Sequence, residues 1–169
     1  ARSTEYTYKF KVFDGCDNER PETNIGKNII LTAGAGGGEL VNTIQWTHYE
    51  EWEEGVLEYQ LYRRLGHEPE FTLLDTYGSN SFSAMEDAEP FFETAGQFCY
   101  RIDAVEDQNQ FGNSAVSSSN VECVTQEPVL WIPNTVKINP VNPVNGVFKP
   151  QGGFIDFDSY KMEVLNKWG

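Results

Sequence analysis

The sequence predicts an all-β chain. Short runs rich in Tyr, Phe, Val and Ile recur between clusters of Gly, Asn, Asp and Pro, apolar and polar residues alternate within them, and helical periodicity is scarce. A hydrophobic content of 39%, with 11 Phe, 8 Tyr and 4 Trp, supplies a core and excludes disorder throughout. At 169 residues the chain has room for one ordinary domain, or for one small domain with parts of others.

Strands are predicted at 6–14, 28–32, 42–48, 57–64, 70–77, 80–84, 97–106 and 114–125. The first, "YTYKFKVFD", sets Tyr6, Tyr8, Phe10 and Val12 against Thr7, Lys9 and Lys11, which is the period-two pattern of a strand. "NIILT" is a short apolar run, and the glycine run 33–39 after it is a connection between strands. That run lacks the Lys and Ser/Thr of a phosphate-binding loop. "NTIQWTH" puts Ile44 and Trp46 on one face. "LEYQLYRR", "EFTLLDTY" and "NSFSA" follow, each closed by turn residues. "SAMEDAEPFFETAG" has room for one short helical turn, but Pro90 interrupts it and the stretch is read as a loop. "QFCYRIDAVE" aligns Phe98, Tyr100, Ile102 and Ala104, and "SAVSSSNVECVT" returns from it. At the far end Tyr160, Met162 and Val164 alternate with Lys161 and Glu163, so a strand is expected that pairs back with 135–138 or with the earlier strands.

The formal net charge of −14 opposes DNA, RNA and anionic lipid as partners, because each phosphate contact would have to overcome a repulsive field. No stretch reaches the roughly 18 apolar residues of a membrane helix. The opening "ARSTEYTYKFKVF" has none of the layout of a secretory leader and reads as the middle of a strand, so the chain is expected to be a processed or cut piece of a longer protein.

Three cysteines are present, Cys16, Cys99 and Cys123. If 97–106 and 114–125 form a hairpin centred near Phe111, Cys99 and Cys123 lie equally far from its centre and face each other across the pair. Opposed residues at a non-hydrogen-bonded position have Cα atoms about 4.5 Å apart, within reach of a disulfide worth roughly 3 kcal/mol. Two buried thiols are the competing reading. A bridge implies an oxidising compartment and hence export, with Cys16 left over.

Other candidate chemistry is thin. His48 and His67 stand in unrelated contexts, without the spacing of a zinc site or of a Ser-His-Asp triad. Glu50, Glu51, Glu53 and Glu54, and further on Asp156 and Asp158, lack the alternation and glycine of a calcium loop and are read as a solvated acidic face. Trp52, Tyr77, Phe91 and Phe92 fall in or beside loops, where Trp52 and Tyr77 are candidates to stack on sugar rings. No metal, cofactor or catalytic group is implied, and the chain is not expected to be an enzyme.

Two resemblances organise these elements. Residues 27–126, through Trp46 in "TIQWTHYE", Tyr59 and Tyr62 in "EYQLYRR", and Phe98, Tyr100, Ile102 and Ala104 in "GQFCYRIDAV", resemble a fibronectin type III domain. That implies an immunoglobulin-like sandwich of two sheets with Trp46, Tyr59, Phe98, Tyr100 and Ile102 between them; Phe98 stands where the family often carries a Tyr whose hydroxyl bonds back to the chain. Residues 6–31 repeat the layout of 98–124, so residues 1–26 read as the last hairpin of a preceding module of the same kind. From 127 to 169 the chain resembles the first half of the gliding-motility-associated C-terminal domain, the type B sorting domain of type IX secretion. The matching residues are Ile132, Pro133 and Asn134, then "VFKP" at 147–150, then "GGFIDFDSYKMEVLNKWG" ending in Asn166, Lys167, Trp168 and Gly169.

Together they imply a non-catalytic stalk or adhesive module of a large exported surface protein, at the outer cell surface, with secretion machinery as the partner of its C-terminal region and a surface protein or glycan as a further partner. The alternative is a carbohydrate-binding accessory module of a secreted enzyme.

Overall fold

A computed structural model describes residues 4–19, 25–36, 39–66, 68–108, 112–134, 150–155, 159, 161, 163, 165, 166 and 168. Two antiparallel sheets carry most of the described strands. The first runs β3–β4–β7, formed by Leu31–Ala35 (β3), Val41–Trp46 (β4) and Ser83–Asp87 (β7). The second runs β10–β8–β5–β6, formed by Val56–Leu65 (β5), Thr72–Gly78 (β6), Gln97–Glu106 (β8) and Glu122–Thr125 (β10), with Val116–Ser118 (β9) also on β8. Two small pairs lie outside them: Thr7–Tyr8 (β1) with Gly26–Lys27 (β2), and Val129–Trp131 (β11) with Gln151–Gly153 (β12).

The inner faces of the two sheets share one core. Leu31, Ile44, Trp46 and Ala84 from the first meet Tyr59, Leu61, Leu65, Phe98, Tyr100, Ile102, Ala104 and Val124 from the second. Burial of those side chains follows from period-two alternation, which turns every second residue of β4, β5 and β8 inward. Asn120 stitches the sheets at one edge: its side chain accepts from the Leu31 N–H at 2.8 Å and donates to the Leu31 carbonyl at 2.9 Å, standing in for a strand partner.

The predicted strands map onto this arrangement with several shifts. Strand 97–106 is β8 residue for residue. Strand 114–125 is divided into β9 and β10, because Ser119 breaks the ladder: its N–H donates to the Ile102 carbonyl and its Oγ accepts from the Ile102 N–H. Strand 80–84 is displaced to 83–87. Among the described residues, strand 6–14 is laddered only at Thr7–Tyr8, with one further bridge at Phe13 and Glu19. The expected loop at Pro90 holds a 3-10 turn, Glu89–Phe91, and the physical reason is position: near the start of a turn, the proline's missing N–H costs nothing. Of the expected strand at the far end, Tyr160, Met162 and Val164, with 135–138, lie outside the described residues; the described Lys161 and Glu163 are exposed, pair with each other and are not in a strand.

Candidate functional site

Cys99 and Cys123 are directly opposed in the β8–β10 ladder and are joined by a disulfide, with Cα atoms 4.0 Å apart. The hairpin arithmetic thus places the bridge at the right pair, although the ladder nearer the turn runs one residue out of step, with Val105 opposite Val116. Cys16 is exposed and unbridged. It sits in a turn closed by Asp14, whose carboxylate accepts from the Asn18 N–H and side-chain amide and from the Cys16 N–H; those bonds, Asn18's first, hold the Asp14 carboxyl below the usual range.

The five core-signature residues are brought together. Trp46 packs on Tyr59 and Tyr77, with ring centroids 5.8 and 5.5 Å apart, and Phe98, Tyr100 and Ile102 line the same interior. Two of these residues also carry polar work. The Tyr59 hydroxyl accepts from the Tyr49 N–H at 2.9 Å and lies 2.9 Å from His48 Nδ1. The Tyr100 hydroxyl donates to Glu86 Oε2 at 2.6 Å and accepts from Asn42 Nδ2 at 2.7 Å, while Glu86 pairs with Arg63 and Asn42 Oδ1 accepts from Gln126 Nε2 at 2.8 Å. This buried network ties β4 and β7 to β5 and β8 across the core. Sequence reasoning missed it, since Asn42, Glu86 and Gln126 carry no motif and their partners are far along the chain.

Burial pushes the Tyr49, Tyr59 and Tyr100 hydroxyls up from their ordinary value, Tyr100 most of all, with the neighbouring Glu86 carboxylate adding to the shift. Because the folded state holds these protons more tightly, their contribution is complete below the unfolded tyrosine value near 10 and is lost as pH rises above it. Denaturant titrations across alkaline pH should therefore show stability falling above about pH 10, by up to about 1.4 kcal/mol per pH unit for each such tyrosine. A midpoint that is flat through that range would contradict the burial of these groups.

Trp52 and Tyr77 do not form a shared ledge. Trp52 rests on Tyr49, with centroids 4.3 Å apart, and Tyr77 on Trp46; both are half-buried against the core, and no ring contact joins them among the described residues. Of the C-terminal motif, Ile132, Pro133 and Asn134 follow β11, Asn166 Oδ1 accepts from the Trp168 N–H at 2.8 Å, and Trp168 is 83% exposed. Val147, Phe148, Lys149, Lys167 and Gly169 lie outside the described residues, as do His67, Asp156 and Asp158.

A second missed feature is Phe154. It is 2% exposed, packed on Phe92 and Phe98 with centroids 5.4 and 6.4 Å apart, and its N–H donates to the Phe92 carbonyl at 2.8 Å. Among the described residues no group of three or more His, Cys, Asp or Glu side chains is placed to hold a metal ion, and no helix is long and apolar enough to cross a membrane.

No protein-family model and no curated protein matches the chain. Among solved structures it is similar to the crystal structure of pectate lyase PelI from Erwinia chrysanthemi in complex with tetragalacturonic acid, with 15% identity and a TM-score of 0.42. The match covers 57% of this chain and 27% of that one, so the chain spans about a quarter of that enzyme's length. A likeness of that degree leaves fold and chemistry to be read from this chain's own residues.

Proposed function

We propose that the chain is a non-catalytic, extracellular part of a large exported surface protein: an immunoglobulin-like, fibronectin type III-like spacer or adhesive module, joined to the opening part of a type IX sorting domain. The observation that carries this reading is the Cys99–Cys123 disulfide, which belongs to an oxidising compartment. The sheet orders β3–β4–β7 and β6–β5–β8–β10, facing each other over an aromatic core, support the module class.

The N-terminal hairpin supports a preceding module of the same kind. In the repeat, Tyr6, Tyr8, Phe10 and Val12 correspond to Phe98, Tyr100, Ile102 and Ala104. The β8 set is wholly buried under the facing sheet, whereas its counterparts are 57%, 52%, 70% and 50% exposed. The apolar alternation, with Tyr8 in the β1–β2 pair, supports a cover supplied by a preceding module.

Secretion machinery is the partner assigned to the C-terminal region. A reporter fused to this region completed with its natural continuation should reach the cell surface only when the type IX pathway is intact; equal export without the pathway would remove the sorting assignment. On a glycan array the chain should show no retention that depends on Trp52, and retention abolished by Trp52→Ala would instead favour an accessory module of a secreted enzyme.

A further inference from the structure

We propose that the end of the module bounded by Phe92, Gly96 and Phe98 is a docking site for a Gly-Gly-Phe segment, filled in cis by residues 152–154, so that the β11–β12 pair is held in place by the module. The inference concerns how that pair is held and stands whether or not the C-terminal region directs secretion.

The site is shaped from both sides. On the module, Gly96 has φ +72°, and a Cβ there would lie 2.8 Å from the Phe154 Cβ. On the segment, a Cβ at Gly153 would lie 2.3 Å from the Phe92 ring, while Gly152 is crowded only from its own side, by the Val129 carbonyl oxygen of β11. Glycine therefore stands on each side of a contact where the backbone must come closer than any side chain permits. Phe154 itself has φ 55°, a conformation a bulky residue keeps only when its surroundings impose it. Those surroundings are the Phe92 carbonyl, which fixes its N–H, and the rings of Phe92 and Phe98.

The second anchor is Gln126. Its N–H donates to the Gly96 carbonyl at 2.9 Å and its side chain joins the buried Asn42. β11 leaves from this point and β12 returns to it, so the chain departs from and comes back to the same glycine. Other described apolar groups of the region are more exposed, Leu130, Trp131, Ile132 and Leu165 among them. Among the described aromatic residues of the region Phe154 is the one inserted, and Trp131 touches the same Phe92 ring from outside, with centroids 5.8 Å apart, which is the pattern of an anchor in a socket with a rim contact.

Hydrogen exchange read by mass spectrometry on the full chain tests this. Phe154→Ala should speed exchange in peptides covering 92–100 and 122–128 by about a hundredfold, the scale of a lost buried phenylalanine. Gly153→Val, which keeps Phe154 but drives a side chain into the Phe92 ring, should do the same, and Phe154→Leu should fall between. The free peptide Gln-Gly-Gly-Phe-Ile at millimolar concentration should slow exchange in the Phe154→Ala chain again. Unchanged rates at 92–100 in both Phe154→Ala and Gly153→Val would overturn the dependence, and a peptide without effect would overturn the docking site. If Phe154→Ala does not fold, the comparison of Phe154→Leu with the unaltered chain decides, equal rates counting against the proposal.

Discussion

Replacing Glu86 by alanine is expected to cost about 3 kcal/mol or more, within the roughly 3–5 kcal/mol seen when one member of a buried ion pair is removed. Glu86 is 7% exposed and serves two groups at once, the Arg63 guanidinium and the Tyr100 hydroxyl. Without it, the Arg63 side chain, itself only 17% exposed, keeps its charge with no carboxylate, and a wholly buried hydroxyl loses its acceptor. Arg63 Nε is already buried without an acceptor, so that side chain has little capacity to compensate. Because Arg63 retains some access to water, the loss should lie toward the lower end of that range. Glu86→Gln keeps an acceptor for Tyr100 and removes only the charge, and should cost less. Urea unfolding followed by tryptophan fluorescence measures both; a Glu86→Ala loss below about 1 kcal/mol would mean that water reaches the network.

Removing the disulfide with Cys99→Ala and Cys123→Ala together should cost about 3 kcal/mol, the loop-closure entropy for a sequence separation of 24. The loss should not be evenly spread. β10 is an edge strand held to β8 by four residue pairs, and the ladder between β8 and β9 is out of step with it. The bridge is what fixes that edge, so fraying should begin at β10 and pass to Gln126, which follows it. Exchange at 122–126 should rise before exchange in β5, and a uniform rise would show that the bridge acts only through the unfolded chain.

The contrast between β8 and β7 explains which parts were legible in the sequence. β8 carries large apolar residues at every second position and paired cysteines at matched distances from a polar turn, so period and arithmetic located both strand and bridge. β7 inverts the ordinary pattern: Met85 is 75% exposed while Glu86 is buried. Alternation reads charge as outward, and the charge is turned inward by Arg63, which comes from the facing sheet and is invisible to any local rule. Phe154 was hidden for a related reason. Two glycines precede it and its φ is positive, so no strand or helix period runs through it, and its socket is assembled from residues more than fifty positions earlier. Trp52 and Tyr77 show the converse: an aromatic residue in or beside a loop reads as displayed, yet each of these is drawn down onto a core ring.

We propose that this module is completed outside the cytoplasm as part of an exported surface protein. Peptide mapping by mass spectrometry without reductant, on the chain recovered from the surface of cells with an intact type IX pathway, tests it most directly. Surface-recovered chain should carry Cys99 linked to Cys123, with Cys16 outside that bridge. Chain retained inside the cell with free thiols at 99 and 123 would contradict it.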